Sequence, residues 1–333
     1  MAAVSIVIGK VFVIGCGSIG QRHIGNLAAL GVARITAFDP DPERRETARS
    51  LGAQIRDSLE SGLQERPDAV LICTPPHLHM TGARLALEAD AHCFVEKPIS
   101  HSMEGIEAVV RLANEKQRVL MVGYMLRFEP GLRKVKALLD SGAIGRLLLV
   151  EAEFGQYLPD WRPSQDYRQG YNASARMGGG IILDASHEID YVRWLAGEVE
   201  RVYCVAGKLS DLEIDVEDAA AMTFECSGRV IAEVHLDSLQ RIYSRNCKLI
   251  GSDGVITWDL RGGVRHSGPD REWHVIETAT DSNQMYVDEL RHFLAAANGE
   301  VRPECDGRDG ARVLQIALAA RESASSGQPV VLN

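Results

Sequence analysis

Hydrophobic positions in the first third of the chain fall into short unbroken runs, separated by longer stretches in which they recur every third or fourth residue. The runs at 11–15, 34–39, 68–74, 92–96 and 119–124, with a shorter one at Gln54 and Ile55, predict strands. The intervening stretches, such as 42–51, 78–89 and 103–116, predict helices. Regular strand–helix alternation implies a parallel sheet covered on both faces. After Tyr124 the rhythm changes. A helix over 130–141, ended by Gly142, leads into longer strands at 147–155, 201–209, 219–226, 230–239 and 246–250. Ser252, Asp253 and Gly254 signal a turn, so 248–260 reads as a hairpin. Within 230–237, Ala232, Val234 and Leu236 point one way and Glu233, His235 and Asp237 the other. That alternation suits an antiparallel sheet with one face on helices and the other open to solvent or to another subunit.

At 333 residues the chain is long for one core, so two domains are expected. The change of rhythm divides it into 1–123, a doubly wound parallel sheet, and 124–333, an α+β domain with a large, open-faced, mostly antiparallel sheet. A short hinge is expected near 123. An amphipathic closing helix within 309–325 is expected to pack back on the N-terminal domain.

Composition narrows the partners. A net charge of −10 argues against nucleic acid and anionic membranes, both of which need basic surface. Seven scattered cysteines, never in a Cys-x-x-Cys pair, fit reduced thiols in the cytoplasm better than a disulfide framework or a zinc site. Val13-Ile14-Gly15-Cys16 superficially resembles a lipoprotein cleavage site. No basic region precedes it, however, and Lys10 interrupts the apolar run, so no signal peptide is expected. No apolar stretch is long enough to span a bilayer.

The first strand breaks into Gly15-Cys16-Gly17-Ser18-Ile19-Gly20 and runs straight into a helical pattern. This is a dinucleotide-binding turn of the Rossmann kind. Gly15 permits the tight turn, Gly17 lets backbone approach a pyrophosphate, and Gly20 lets helix pack on strand. The N–H groups around Ser18 and Ile19 face the anion. Asp39 follows Gly20 by 19 positions at the end of the second apolar run, placed to accept the adenosine ribose hydroxyls and repel a 2′-phosphate. NAD is therefore expected over NADP. Arg44 and Arg45 lie close enough to reach a 2′-phosphate, although arginines there more often sit on a solvated face or stack on adenine.

Three more segments carry candidate chemistry. Thr74-Pro75-Pro76-His77-Leu78-His79 follows a parallel strand, where ligands of such folds bind. Its two histidines invite a metal reading, but no nearby Cys or carboxylate completes a site and no metal is expected. Glu96-Lys97-Pro98 ends another strand, where Lys97 either points into the crevice or forms a solvated pair. In Gly178-Gly179-Gly180…Asp184…His187, the last two are three apart and share a face if helical. A histidine oriented by a carboxylate is the usual general base for a hydroxyl proton. The competing readings are a helix cap for Asp184 and a structural histidine. Tyr191, where a second histidine would stand, rules out the common zinc-protease motif.

Taken together with Gly123-Tyr124, Arg127-Phe128, Asp190, the run Tyr286…Glu289-Leu290…Phe293 and the closing Ala320–Gly327 stretch, these segments resemble the glucose–fructose oxidoreductase/inositol dehydrogenase/MocA (Gfo/Idh/MocA) family over essentially the whole chain. The resemblance implies an NAD(P)-dependent dehydrogenase acting on a CH–OH group of a sugar, nucleotide sugar or cyclitol. It makes Lys97, Asp184 and His187 the catalytic group and places Glu96, Thr74, Pro75 and His77 at the nicotinamide end, with Lys97 also touching the cofactor. Many family members separate the Asp and His by four, whereas here the spacing is three, which makes His187 the safer assignment. Arg127 is expected at the substrate. The segment with Tyr157, Trp161, Arg162 and Arg168 looks like a subgroup associated with bacterial surface-sugar pathways. There the aromatics would stack on a sugar and the arginines bind a phosphate or carboxylate; a loop held by local salt bridges fits equally. A homodimer or homotetramer is expected from the open sheet. Two other functions stay open: an NAD-dependent glycoside hydrolase working through transient oxidation, and a non-catalytic NAD-binding regulatory protein.

Overall fold

The structure is a computed structural model and describes residues 8–163, 165–278 and 281–332. Its first sheet has six strands: β1 (Lys10–Ile14), β2 (Arg34–Phe38), β3 (Gln54–Ile55), β4 (Ala69–Ile72), β5 (His92–Glu96) and β6 (Leu120–Gly123), in the order β3-β2-β1-β4-β5-β6. All neighbours pair in parallel. Every residue of β4, β5 and β6 is buried, which is why these segments are apolar apart from His92 and Glu96 at the two ends of β5. The connecting helices are α1 (Ser18–Ala29), α2 (Pro42–Ser50), α3 (Leu59–Gln64), α4 (His79–Glu88) and α5 (Ile106–Glu115). Local chemistry sets their starts. The Asp41 side chain accepts from the Glu43 N–H, with Pro42 in the first turn, and Ser58 and Ser61 form a capping box before α3. The helix expected over 103–116 starts later, because Gly105 adopts φ 77°. Strand order reverses between β1 and β4, so their carboxyl ends flank a crevice.

The second sheet has nine strands: β7 (Leu147–Gly155), β8 (Val199–Gly207), β9 (Ala219–Cys226), β10 (Val230–Asp237), β11 (Ser244–Gly251), β12 (Val255–Asp259), β13 (Gly263–Ser267), β14 (His274–Ile276) and β15 (Val330–Val331). It is mixed: β10 runs parallel to β7, and the other pairs are antiparallel. Helices α6 (Pro130–Asp140), α7 (Ile181–Asp184) and α8 (Ser186–Ala196) pack on one face of it. The alternation expected in β10 is present. Ala232, Val234 and Leu236 are buried and Glu233 and His235 are exposed, although Ile231 also faces outward and Asp237 is buried.

Two helices complete the chain, α9 (Gln284–Ala297) and α10 (Gly307–Ser326). The residues divide into two compact units: those up to Met125 together with Asn283–Arg312, and Leu126–Ser282 together with those from Val313 on. A single cut near 123 therefore does not describe the division. The reason is α9, which belongs with the first unit: Phe293 meets Phe94 edge-on at 5.5 Å, and Asn283 Nδ2 donates to Asn26 Oδ1 at 2.9 Å. Only the first residues of α10 belong to that unit, and the rest fall in the second.

Candidate functional site

The glycine turn is shaped by two close approaches. Gly15 holds φ 94°, and a Cβ there would lie 2.7 Å from the Cys73 carbonyl oxygen, so only glycine passes beside the end of β4. A Cβ on Gly20 would lie 2.0 Å from the Gly15 carbonyl oxygen, which sets α1 flush on the turn. Gly17 is the opposite case, since a Cβ there would meet nothing within 4 Å. Gly17 is also the N-cap of α1, and no side chain caps the helix. Backbone N–H groups at Ser18 and Ile19 thus open onto clear space, a cradle that fits an anionic pyrophosphate.

Asp39 already has structural partners of its own. It is buried, its Oδ2 accepts the Cys16 N–H at 2.7 Å, and its Oδ1 accepts the Asp41 N–H at 2.9 Å. The carboxylate therefore pins the glycine turn to the end of β2, with lone pairs left for a hydroxyl. Burial first, and then the Asp39 charge, push the Cys16 thiol up to about 12, so it is no nucleophile. Arg44 is exposed beside Asp41, and Arg45 donates to the Asp39 carbonyl, so both guanidinium groups have local partners.

At the next two strand ends, the Thr74 hydroxyl is buried and has no hydrogen-bond partner among the described residues, an open position at the crevice. Glu96 is held on both oxygens. Fully buried His23 donates from Nε2 to Oε1 at 2.6 Å, and the Lys97 N–H donates to Oε2 at 3.2 Å. Gly123, opposite Glu96 in β6, leaves room for it, since a Cβ there would crowd Phe94 and the Glu96 carboxyl carbon. Glu96 thus fixes the start of the Lys97 loop. Lys97 is half-buried, and its peptide bond to Pro98 is cis. Pro75 and His77 are half-buried beside them, with the His77 ring 6.4 Å from that of His101.

In the second unit, Gly179 and Gly180 thread a narrow gap. A Cβ on Gly179 would lie 2.2 Å from the Tyr171 carbonyl oxygen, and one on Gly180, at φ 100°, would lie 2.4 Å from Arg321 Nη2 and Glu217 Oε1. Beyond them the expected helix is two helices. Ala185, at φ −95° and ψ 32°, separates α7 from α8, so Asp184 ends one and His187 lies in the first turn of the next. The shared-face argument from helical spacing therefore does not apply, and Asp184 caps neither helix. Its carboxylate accepts the Tyr171 hydroxyl at 2.7 Å and the Asn172 amide. His187 is buried on α8, and the carboxylates next to it in sequence carry buried partners: Glu188 with Arg245 and Asp190 with Arg127.

Arg127, expected at the substrate, is 3% exposed and forks onto Asp190, which makes it a brace for α8. Arg168 directs its donors to Asp166 and Glu213, and those two carboxylates raise its pKa, so local salt bridges hold it. Tyr157 lies under Arg241, whose guanidinium carbon is 3.5 Å from the ring centre. Trp161 donates to the Gln156 carbonyl and meets Phe154 edge-on. Arg162 is half-buried, and among the described residues nothing pairs with its guanidinium. The positioning roles of His23 and Asp190 were missed from the sequence. His23, three residues after Gly20, carried a weak signal, whereas the partner of Asp190 stands 63 residues away.

A family model described as "Oxidoreductase family, NAD-binding Rossmann fold" matches residues 9–124, and the GFO/IDH/MocA C-terminal domain matches 132–257. The chain is 28% identical to the uncharacterized oxidoreductase YrbE of Bacillus subtilis, across 96% of this chain and 95% of that one. It is 27% identical to myo-inositol 2-dehydrogenase of Thermotoga maritima, across 97% and 98%. Its fold matches that of the WlbA dehydrogenase of Bordetella pertussis, solved with NADH and UDP-GlcNAcA, at a TM-score of 0.86 and 24% identity over 99% of both chains.

Proposed function

The chain belongs to the GFO/IDH/MocA family of NAD-binding oxidoreductases, and we propose that it transfers a hydride between NAD and a hydroxyl-bearing carbon of a sugar, nucleotide sugar or cyclitol. The observation that carries the cofactor half is the Gly17 cradle, open where a pyrophosphate would lie, with the Thr74 hydroxyl unpartnered nearby in the chain's topology. In this reading Gly15, Gly17, Ser18, Ile19 and Gly20 hold the pyrophosphate and Asp39 takes the ribose. Thr74, Pro75, His77 and Glu96 line the nicotinamide end. Bound NAD supplies the hydride acceptor.

The chain's own residues then do the proton chemistry. His187 takes the proton from the reacting hydroxyl. The Lys97 ammonium donates to the oxygen as negative charge builds on it, an interaction strongest in the transition state. Asp184, fixed by Tyr171 and Asn172, orients the reacting hydroxyl or His187. With NAD bound, the carbon-bound hydrogen would leave with its electron pair as hydride, and the alcohol would become a ketone. The substrate class rests on the relatives: one is named for myo-inositol, and another was solved with a nucleotide sugar. Arg162 and Arg241, beside Tyr157, remain as cations for an anionic group on such a substrate.

We also read the protein as a cytoplasmic homodimer or homotetramer. The open sheet face supports the assembly, because it exposes Ile231 and, at a groove of about 890 Å³, Tyr203 and Val205. Among the described residues no helix is long and apolar enough to cross a membrane.

The test is the absorbance of the purified protein, titrated with NAD and NADP against sugars, nucleotide sugars and inositols. A substrate-dependent rise at the NADH band is expected. Tightly held cofactor with no net change but release of free sugar would indicate a hydrolase, and failure to bind either nucleotide would overturn the reading.

A further inference from the structure

His79, the second of the two histidines after β4, plays no part in the chemistry above, yet its placement is specific. It is 1% exposed at the start of α4. Its Nδ1 lies 2.8 Å from the Pro98 carbonyl oxygen and its Nε2 lies 2.7 Å from the Thr74 carbonyl oxygen. These carbonyls come from two different strand ends. Thr74 opens the turn after β4, with its hydroxyl unpartnered, and Pro98 directly follows Lys97 after β5.

We propose that His79 is a positioning residue, its one rigid ring wedged between the Thr74 and Pro98 carbonyls, hydrogen-bonded to one and packed against the other, and so fixing the cofactor turn and the Lys97 loop at a set spacing. The inference rests on the assignment of Lys97 and Thr74 to the reacting centre. An imidazole is rigid and carries nitrogens on opposite edges, so it transmits the position of one loop to the other. A flexible amide or an apolar residue of similar volume fills the space without coupling the two. Glu96 fixes the front of the same loop through the Lys97 N–H, and His79 fixes its back through Pro98. Lys97 is thus held from both sides of its own backbone. A ring with one proton donates to one carbonyl only, and a ring with two donates to both. Burial works against the second proton, the two carbonyls and Glu96 for it, and the net direction is down.

The two arms are separable by substitution. Asn places an amide nitrogen near the position of Nδ1, and Gln places one near that of Nε2. His79→Gln keeps the Thr74 arm and releases the Lys97 loop. The expected result is a loss of roughly 10- to 100-fold in kcat, with the Kd for NAD changed less than about threefold. His79→Asn keeps the Pro98 arm and releases the Thr74 turn, and its loss is expected mainly in the Kd for NAD, about tenfold. A residue that only fills the core would lower kcat and cofactor affinity together in both variants, in step with the melting temperature. That pattern, or wild-type kinetics in both, overturns the inference. Lys97→Ala, measured in parallel, separates this from failure of the functional reading: full turnover in Lys97→Ala removes the reading itself. Should either His79 variant fail to fold, ring nitrogen NMR of the wild-type protein decides. A His79 N–H proton protected from exchange supports the grip, and a rapidly exchanging ring refutes it.

Discussion

Asp190 receives the guanidinium of Arg127 as a two-point fork, Oδ1 2.7 Å from Nη2 and Oδ2 2.9 Å from Nε, with both side chains buried. Asp190 sits one turn after His187 on α8, so the fork fixes the helix that presents His187. Removing one partner leaves a buried charge without its counter-charge. Asp190→Asn is expected to destabilise the protein by about 3–5 kcal/mol. Replacing both residues with Met and Leu is expected to cost less. Urea unfolding of the three proteins measures this, and equal stability of Asp190→Asn and wild type would remove the brace.

Gly17 and Gly20 are expected to respond differently to alanine. At Gly20 the added methyl meets the Gly15 carbonyl oxygen at 2.0 Å, so Gly20→Ala should lower stability by roughly 1–3 kcal/mol as well as weaken NAD binding. At Gly17 it meets nothing, so the fold should melt within a few degrees of wild type. It does, however, occupy the cradle, and the Kd for NAD should rise tenfold or more, on the order of one lost charge-assisted hydrogen bond. Calorimetric titration with NAD beside thermal melts separates the two effects.

Lys97→Ala should lower kcat by roughly 10²- to 10³-fold, the scale of losing one donor to a developing oxyanion. Its Kd for NAD should stay within about threefold, since the pyrophosphate is held elsewhere. Cofactor binding lost together with turnover would show that Lys97 serves the nucleotide instead.

His92 provides the pH test. It is buried, and its Nδ1 accepts the Val119 N–H at 3.1 Å, which needs an unprotonated ring nitrogen. Burial first, and then the Arg118 charge, lower its pKa to about 4. The unfolded chain takes up this proton near pH 6.5, and the folded chain only near pH 4. Stability is therefore full above pH 6.5 and falls as the pH drops through that window, by up to about 3 kcal/mol. His92→Asn, whose side-chain oxygen can accept the same N–H, should flatten this acid limb in denaturation curves taken between pH 4 and 7.

The parallel sheet and its glycine turn were legible because each is written locally, in unbroken apolar runs and in fixed spacing. What the sequence did not disclose was which partners each polar group has. For Arg168 an anion site and a local salt bridge fitted equally, and the sequence could not choose because its partner Glu213 lies 45 residues away. The two histidines after β4 were not expected to hold a metal, but spacing could not show what His79 does instead, because the Pro98 carbonyl beside it stands 19 residues on. Asp184 and His187 looked helical together because spacing alone does not reveal the break at Ala185. No helix was assigned at α9, which buries Glu289 in the middle of its apolar face.

The first unit is assembled from two stretches of chain with 126–282 between them. During synthesis, β1 to β6 emerge long before the last of the residues that cover them. Until Asn283–Arg312 follow, His23 lacks Tyr286, Phe94 lacks Phe293, and the Val122 N–H has no Cys305 carbonyl to meet. A ribosome-bound chain stopped after residue 282 would therefore carry the complete glycine turn on a sheet covered by α1 to α5 but still without α9, more open to chaperones and proteases. The nucleotide-binding unit is thus the first begun, yet it closes only after almost all of the second unit has been made.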